Sequence, residues 1–391
     1  MFRPDRKQMA TVDPADEKEQ RKVEAALEAA LIAFELSILV IIAERLGRLD
    51  GKTFAEVYAV MPEDIARIRE AIEAGTRNIE NVTSKVMDNM AKANDDWAEK
   101  YYKARNVEQR SAFSHSSLMK QLERGTSNAK RKVSALCRSS VVSVGNRNFI
   151  PVEQAYRQIV SAAATAMTTG NLTGSQAISK AVERMAQNGL RVQYESGVTR
   201  DLITAVRTNV MDAYRSTMSN MREMQGAEFG ADGVEVTAHA LCAPDHQPYQ
   251  GRQYSDKEWR TIQFAPARPL VIGANCGHSV FPIILGITSS KYSNEQLRQL
   301  NERSNAEITF EGLSGKELTM TRYEASQYQR KMENNIRKMK ENTYLLEKAN
   351  LSNFAKMERK TQRALSKRYE DISKAMGLTP RMENTRIYIS K

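Results

Sequence analysis

Residues 230–290 interrupt a chain that is otherwise patterned for helices. Proline and glycine recur there every few residues, at Pro244, Pro248, Gly251, Pro266, Pro269, Gly273 and Gly277. Proline removes a helix hydrogen bond and clashes with the preceding turn, so no helix continues through such a density of breakers. In "ADGVEVTAHA" the apolar residues Val234, Val236 and Ala238 instead alternate with the period of a strand. The sequence therefore predicts a small β-rich module over 230–290.

Residues 1–138 are predicted to form a region of long helices. Between Leu27 and Gly47 apolar residues recur at spacings of three and four, at Leu27, Leu31, Phe34, Ile38 and Ile42. Glutamates at 28, 35 and 44 interrupt the stretch and are assigned to other helix faces, so we predict no membrane span. The apolar face needs a partner, either this chain or a larger assembly. A second helix is predicted to begin near Pro62.

The next segments are predicted as a linker over 139–150 and a three-helix bundle over 151–229. The linker "SSVVSVGNRNFI" loses the helical period and places Gly145 and Asn146 in a turn. The first bundle helix is expected to end at Gly170 and the second to run from an N-cap at Ser175 to a C-cap at Gly189. Thr199 is the predicted N-cap of the third.

Charged helices and a tail are predicted over 291–391, with sparse apolar positions such as Leu345 and Leu346. The closing residues add a strand through Ile387 and Ile389 or remain a tail. The fold class that follows is mainly α, with long helices and a helical bundle, and with a small β-rich module inserted near the C-terminal third.

The net charge of +11 is concentrated in two stretches. Residues 101–150 contain 10 Lys/Arg and 2 Asp/Glu, and residues 316–370 contain 14 and 7, so these stretches carry +8 and +7 and the remainder carries −4. Two local basic faces indicate nucleic acid or an acidic protein as a partner. Ordinary solvated helix faces are the alternative.

Metal-type ligands are concentrated in the β-rich module. The candidate ligands are His239, His246, Cys276 and His278, with Cys242 given less weight. Four such nitrogen and sulfur atoms suit a tetrahedral zinc ion, which would stabilise a module too small to hold its shape by core burial. The spacing matches no standard zinc finger, and a hydrogen-bonded cluster without metal remains open. Three scattered cysteines do not form a disulfide framework and indicate a reducing compartment.

A catalytic reading has less support from the residues. Asp245 adjoins His246, but adjacent side chains rarely point at each other, and no local motif marks a nucleophile. We therefore predict no enzyme. The alternative is a metal-dependent nucleic-acid-processing enzyme that uses the His/Cys module between basic flanks.

The module resembles the signature region of the phage minor capsid protein 2 family, which is related to the Mu F-like head morphogenesis proteins. The resemblance is carried by His239, Pro244, His246, Gly251, Asn275, Cys276, His278, Pro282 and Gly286. It extends to the Ala-Val-Arg of residues 205–207 and to a downstream helix with Tyr323, Glu324, Ala325, Gln327, Gln329, Arg330, Glu333, Ile336 and Arg337. It covers roughly 150–345. Gly277 departs from the pattern, which has a basic residue there.

This resemblance implies a minor capsid protein of a tailed bacteriophage. Such a protein would lie in the virion, after assembly in the host cytoplasm, and would contact the portal protein and other capsid proteins at the portal vertex. It would assist head assembly or DNA packaging and delivery, with DNA as a partner of the stretches 101–150 and 316–370.

Overall fold

The computed structural model describes residues 15–49, 51–105, 108, 111, 113–145, 148–169, 173–271 and 276–389. The predicted turn residue Asn146, the predicted helix end Gly170 and the motif residue Asn275 lie outside these ranges. The described residues are 66% helical, with small antiparallel sheets, which confirms a mainly α fold. The α-helices are α1 (Ala15–Leu46), α2 (Phe54–Arg105), α3 (Ser116–Arg138), α4 (Val152–Thr168), α5 (Gly174–Asn188), α6 (Leu202–Glu228), α7 (Asp256–Ile262), α8 (Asn294–Asn305), α9 (Arg322–Lys348) and α10 (Ser352–Ala375).

The strands form three separate sheets, with orders β2-β1-β3-β4, β6-β5-β7 and β8-β9. All of the pairings are antiparallel. The strands are β1 (Ser140–Gly145), β2 (Asn148–Pro151), β3 (Leu190–Gln193), β4 (Thr199–Asp201), β5 (Gly233–Val236), β6 (Gln253–Ser255), β7 (Val280–Ile283), β8 (Glu307–Glu311) and β9 (Glu317–Thr321).

The predicted linker over 139–150 is wrong, because this segment contains strands β1 and β2. Val142 pairs with Ile150 in β2 on one side and with Leu190 in β3 on the other. Helices α4 and α5 pack against this sheet, while α6 packs mainly on α3. Residues 151–229 are therefore not a simple three-helix bundle. Strand β1 pairs with a strand about fifty residues away, and the spacing of apolar residues within 139–150 does not indicate such a distant pairing.

Several predicted helix ends are also corrected. Helix α2 begins at Phe54, where Thr53 and Glu56 form reciprocal capping hydrogen bonds, so Pro62 lies inside the helix. Helix α5 is capped by Thr173 rather than Ser175, although its C-cap is Gly189 as predicted. Helix α6 is capped by Asp201, because Thr199 pairs with Gln193 in the sheet.

One hydrophobic core joins the two ends of the chain. It contains the predicted apolar face of α1 together with Leu345, Leu346 and Leu351 from the C-terminal helices. The apolar face of α1 is therefore covered within this chain. By length and composition alone, the helix segment Lys22–Leu46 is long and apolar enough to cross a membrane, but 61% of its most apolar window is buried in the protein. It packs as a core helix.

The C-terminal segment after α10 packs on the protein without forming a strand in its described part. A 3₁₀-helix spans Met382–Thr385, and residues 386–389 are irregular. Buried Glu333 accepts hydrogen bonds from Tyr369 Oη (2.9 Å), Arg381 Nε (2.8 Å) and Asn384 Nδ2 (2.8 Å). These contacts hold the segment against α9 and α10, and the predicted strand through Ile387 and Ile389 is not formed.

Helix α6 positions the β-rich module against the helices. Gly125 of α3 faces Thr217 of α6 so closely that a Cβ at residue 125 would overlap that side chain. Five residues further along α6, Arg222 donates to Asn94 Oδ1 of α2 (2.8 Å) and to the Val280 carbonyl of β7 (3.3 Å). The guanidinium also lies 3.9 Å from the centre of the Phe281 ring. The module is thus joined to the core by a buried polar contact.

Glu35 is a buried carboxyl group that the sequence analysis assigned to a polar face of α1. Its side chain is 2% exposed and its Oε2 accepts the Leu190 N–H at 2.7 Å. Burial, with the nearby carboxylates of Glu341 and Asp201, raises the pKa of Glu35 well above its usual value of 4.5. The folded protein therefore holds a proton that the unfolded chain releases near pH 4.5.

We expect the stability contributed by protonated Glu35 to be complete below about pH 4.5 and to be lost as the pH rises through the raised pKa. Glu35→Gln retains an oxygen acceptor for Leu190 and removes the ionisable group. Between about pH 5 and pH 8 the free energy of unfolding should fall in both chains. The fall should be smaller in the variant by at least about 1 kcal/mol, as measured by urea unfolding. Glu63→Gln, at an exposed site on α2, is the control. Parallel pH profiles for the Glu35 variant and the original chain would contradict this assignment.

Candidate metal centre

Antiparallel pairing of β5 with β7 brings the predicted ligands together. Val236 at the end of β5 pairs with Val280 at the start of β7. The loop that leaves β5 and the segment that enters β7 therefore meet at the same end of the sheet. The first carries His239, Cys242 and His246, and the second carries Cys276 and His278. The Thr237 N–H donates to the Ser279 carbonyl at 2.9 Å, which continues the backbone pairing of the two segments one residue beyond the strands.

The structure places all five candidate residues in one cluster, arranged as two groups of three. His246, Cys276 and His278 form one group, and His239, Cys242 and His278 form the other, with the potential ligand atoms of each group within 4.8 Å of one another. His278 belongs to both. Its two ring nitrogens point away from each other, so one ion cannot use both groups. The four predicted ligands therefore do not surround a single point.

The group of His246, Cys276 and His278 has the spacing of metal ligands. Cys276 Sγ lies 3.7 Å from His246 Nδ1 and 3.4 Å from His278 Nδ1. Zinc–sulfur and zinc–nitrogen bonds of about 2.3 Å and 2.0–2.1 Å, at a tetrahedral angle, place the two atoms about 3.6 Å apart. The observed separations match that value without movement of the backbone.

Hydrogen bonds orient both imidazoles for this role. His246 Nε2 donates to the Arg268 carbonyl at 2.8 Å, and His278 Nε2 lies 3.4 Å from Gln250 Oε1. When each imidazole is neutral with its proton on Nε2, the Nδ1 lone pair faces Cys276. Metal-binding histidines usually donate their second N–H to an oxygen in this way. Gln250 is itself completely buried and donates to Asn301 Oδ1 of α8 at 2.8 Å.

The two cysteines differ in ionisation. Burial opposes ionisation of Cys276, but hydrogen bonds from His246 and from the backbone N–H groups of His278 and Val271 lower its pKa overall. Burial and the proximity of Cys276 and Asp245 raise the pKa of Cys242. The thiolate is the form that binds a metal. The lesser weight given to Cys242 therefore agrees with its electrostatics, although it lies inside the cluster.

The protonation of the histidines is set by their surroundings. Burial, together with His239, His246 and Arg215, lowers the pKa of His278 well below its usual value. Burial opposes protonation of His246, whereas its contact with Cys276 favours it, and the net effect raises its pKa. His278 is neutral near pH 7, as a metal ligand must be.

Gly277 makes room for His239 in the cluster. A Cβ at residue 277 would lie 3.0 Å from His239 Nε2. The His239 ring lies 4.5 Å from that of His278, centre to centre, at 35°. The departure from the expected basic residue between Cys276 and His278 thus has a steric reason, because the histidine occupies the space that a side chain would need.

The sequence analysis named Arg207 and Arg330 only as residues that carry the family resemblance, and it assigned no arginine to this cluster. A cavity of about 490 Å³ adjoins His239, His246, Cys276 and His278 and is also lined by Arg207 and Arg215 of α6 and by Arg330 of α9. The available signal was helical spacing. Arg207, Met211 and Arg215 recur every four residues on α6, and Tyr323, Gln327 and Arg330 follow at four and three on α9, so each set shares one helix face.

The comparisons with known proteins give one match. The model of the family described as phage minor capsid protein 2 matches residues 34–371. The curated proteins and the solved structures contain no match to the chain. The matched range includes the C-terminal part of α1, the β-rich module with its His/Cys cluster, and α9. The chain belongs to the phage minor capsid protein 2 family and is therefore a structural component of the phage head.

Proposed function

We propose that this minor capsid protein associates with the portal vertex, where it contacts the portal protein and assists head assembly and the passage of DNA. The observation that carries the proposal is the family match over 34–371. The structure adds that the apolar face of α1 is covered within the common core, so this face is not the surface that contacts a partner. Assembly of the chain into heads would take place in the host cytoplasm.

Two helices present basic faces that suit contact with DNA. Helix α3 carries six Lys/Arg and one Glu, and α10 carries seven Lys/Arg against three Asp/Glu. On α3 the side chains of Lys120, Arg124, Arg131 and Lys132 are exposed. Helix α3 lies within the basic stretch 101–150, and α10 begins within the stretch 316–370 and ends five residues beyond it. Contacts of this kind neutralise phosphates without reading sequence.

We further propose that His246, Cys276 and His278 hold one structural zinc ion. The support is the match of the ligand separations to zinc geometry and the hydrogen-bonded second nitrogens of both histidines. An ion here would link the loop after β5 to the segment before β7. Pro/Gly-rich segments with few apolar residues need such crosslinks to hold one conformation.

A metal-dependent nucleic-acid-processing enzyme is the second candidate. The observation that favours it is that three protein ligands leave a fourth position, as in catalytic zinc sites, beside an arginine-lined cavity. Against it, the lining contains a single carboxylate, Glu24, which lies between Arg207 and Arg215 rather than beside the ligand group. A hydrolase needs a positioned general base. We therefore favour the structural role.

The portal contact predicts a cross-linking pattern in purified virions. Amine-reactive cross-linking followed by mass spectrometry should join exposed lysines, such as Lys120 of α3 and Lys356 of α10, to the portal protein. Buried positions supply no links and serve as the internal control. Links to the major capsid protein alone, with none to the portal, would contradict the proposed position.

The DNA contact predicts binding that ignores sequence and falls steeply with salt. The double variant Arg131→Gln/Lys132→Gln should reduce the slope of log K against log salt by about 2, because each lost phosphate contact removes about 0.9. The matched control, Arg200→Gln/Arg260→Gln, removes the same charge outside the two basic stretches and should leave the slope unchanged. Equal effects of the two variants, or strong preference for one duplex, would sink the proposal.

The zinc site predicts about one zinc ion per chain by elemental analysis of protein purified without chelator. Cys276→Ser should abolish zinc binding and lower the melting temperature, whereas Cys242→Ser should retain the ion. Absence of metal from the original chain would leave a hydrogen-bonded cluster as the correct description. Metal-dependent DNA cleavage that is abolished by Cys276→Ser would establish the enzyme instead.

A further inference from the structure

The cavity beside the His/Cys cluster has an excess of positive charge. It lies between α1, α6, α9 and the β-rich module, and its volume is about 490 Å³. Among the residues that the structure describes, four arginines line it, at positions 207, 215, 268 and 330, together with one carboxylate, that of Glu24. Arg268 is neutralised by Asp245, to which it donates two hydrogen bonds of 2.6 and 3.1 Å. Of the other three, Arg207 and Arg215 lie within ion-pair distance of Glu24, and Arg215 also lies within that distance of Asp212.

Glu24 forms no hydrogen bond with Arg207 or Arg215, the two arginines of α6 that line the cavity. The closest separations are 3.8 Å to Arg207 and 3.9 Å to Arg215, which are too long for hydrogen bonds. Arg215 is only 6% exposed, and its Nε is buried with no hydrogen-bond acceptor among the residues that the structure describes. Asp212 lies 3.4 Å from another nitrogen of the same guanidinium. A buried guanidinium with an unused donor indicates an acceptor supplied from outside the chain.

Arg330 enters the same cavity from α9. Desolvation and the charge of Arg207 lower its pKa from the usual value for arginine. This mutual repulsion is relieved by an anion between the two side chains. Tyr323 and Gln327 lie on the same face of α9 and add two further polar groups to the lining.

We propose that this cavity binds a phosphate group between Arg207, Arg215 and Arg330. Guanidinium groups match phosphate oxygens with paired hydrogen bonds, and several of them around one point suit an anion with several oxygens better than a single carboxylate. The volume admits inorganic phosphate or one phosphodiester of a DNA strand. Neither portal association nor the basic faces of α3 and α10 enter into this inference.

Calorimetric titration of the full chain with inorganic phosphate, at constant ionic strength, tests the site. We expect saturable binding in the original chain and affinity at least about tenfold weaker for Arg330→Gln and for Arg207→Gln. Although its guanidinium is partly desolvated in the cavity, residue 330 as a whole is exposed, so Arg330→Gln should keep the original melting temperature and loss of binding would not reflect unfolding. Arg200→Gln removes an equal charge on β4 and should bind phosphate as the original chain does.

A second titration separates the two sources of phosphate. Competition between a short single-stranded oligonucleotide and inorganic phosphate, lost in Arg330→Gln, would assign the site to a DNA phosphodiester. Oligonucleotide binding that is insensitive to phosphate and to Arg330→Gln would assign it to free phosphate. No heat of binding with phosphate up to about 10 mM, or equal weakening by Arg200→Gln, would overturn the proposal.

Discussion

Burial of helix α6 is the constraint on which the rest of the structure depends. Fifteen of its 27 residues are buried, and it packs against α1, α2, α3 and β7. Val206 and Val210 belong to the common hydrophobic core, whereas Arg207 and Arg215 face the cavity, and Met211 borders both. Since one rigid helix supplies both faces, the position of the cavity is set by the packing of the core.

The buried polar groups on this helix have different consequences. Arg222 and Gln225 bind Asn94 and Asp95 of α2, so their polar atoms are matched by partners within the chain. Arg215 is equally buried but its carboxylate neighbours lie at 3.4 Å or more. A buried charge whose ion pairs are this long costs free energy that the core must offset. Such an arrangement is expected at a binding site, where a ligand completes the contacts.

Whether a sequence prediction was right depended on how far apart along the chain the interacting residues lie. The mainly α fold and the interruption over 230–290 are visible locally, because proline, glycine and the helical period act within a few residues. The strands β1 and β2 were missed because their sheet is completed by β3, far along the chain. The buried position of Glu35 was missed because its partner, the Leu190 N–H, comes from another element.

The sequence alone determined which residue types were available: long apolar helices, two basic stretches and a module rich in histidine and cysteine. It also carried the resemblance that the family match confirms. Tertiary structure decided how the side chains of these segments are brought together. It divided five candidate ligands into two groups that share His278, and it placed arginines from α6 and α9 beside them. Distances between side chains of different elements depend on backbone packing, and no periodicity along one segment encodes them.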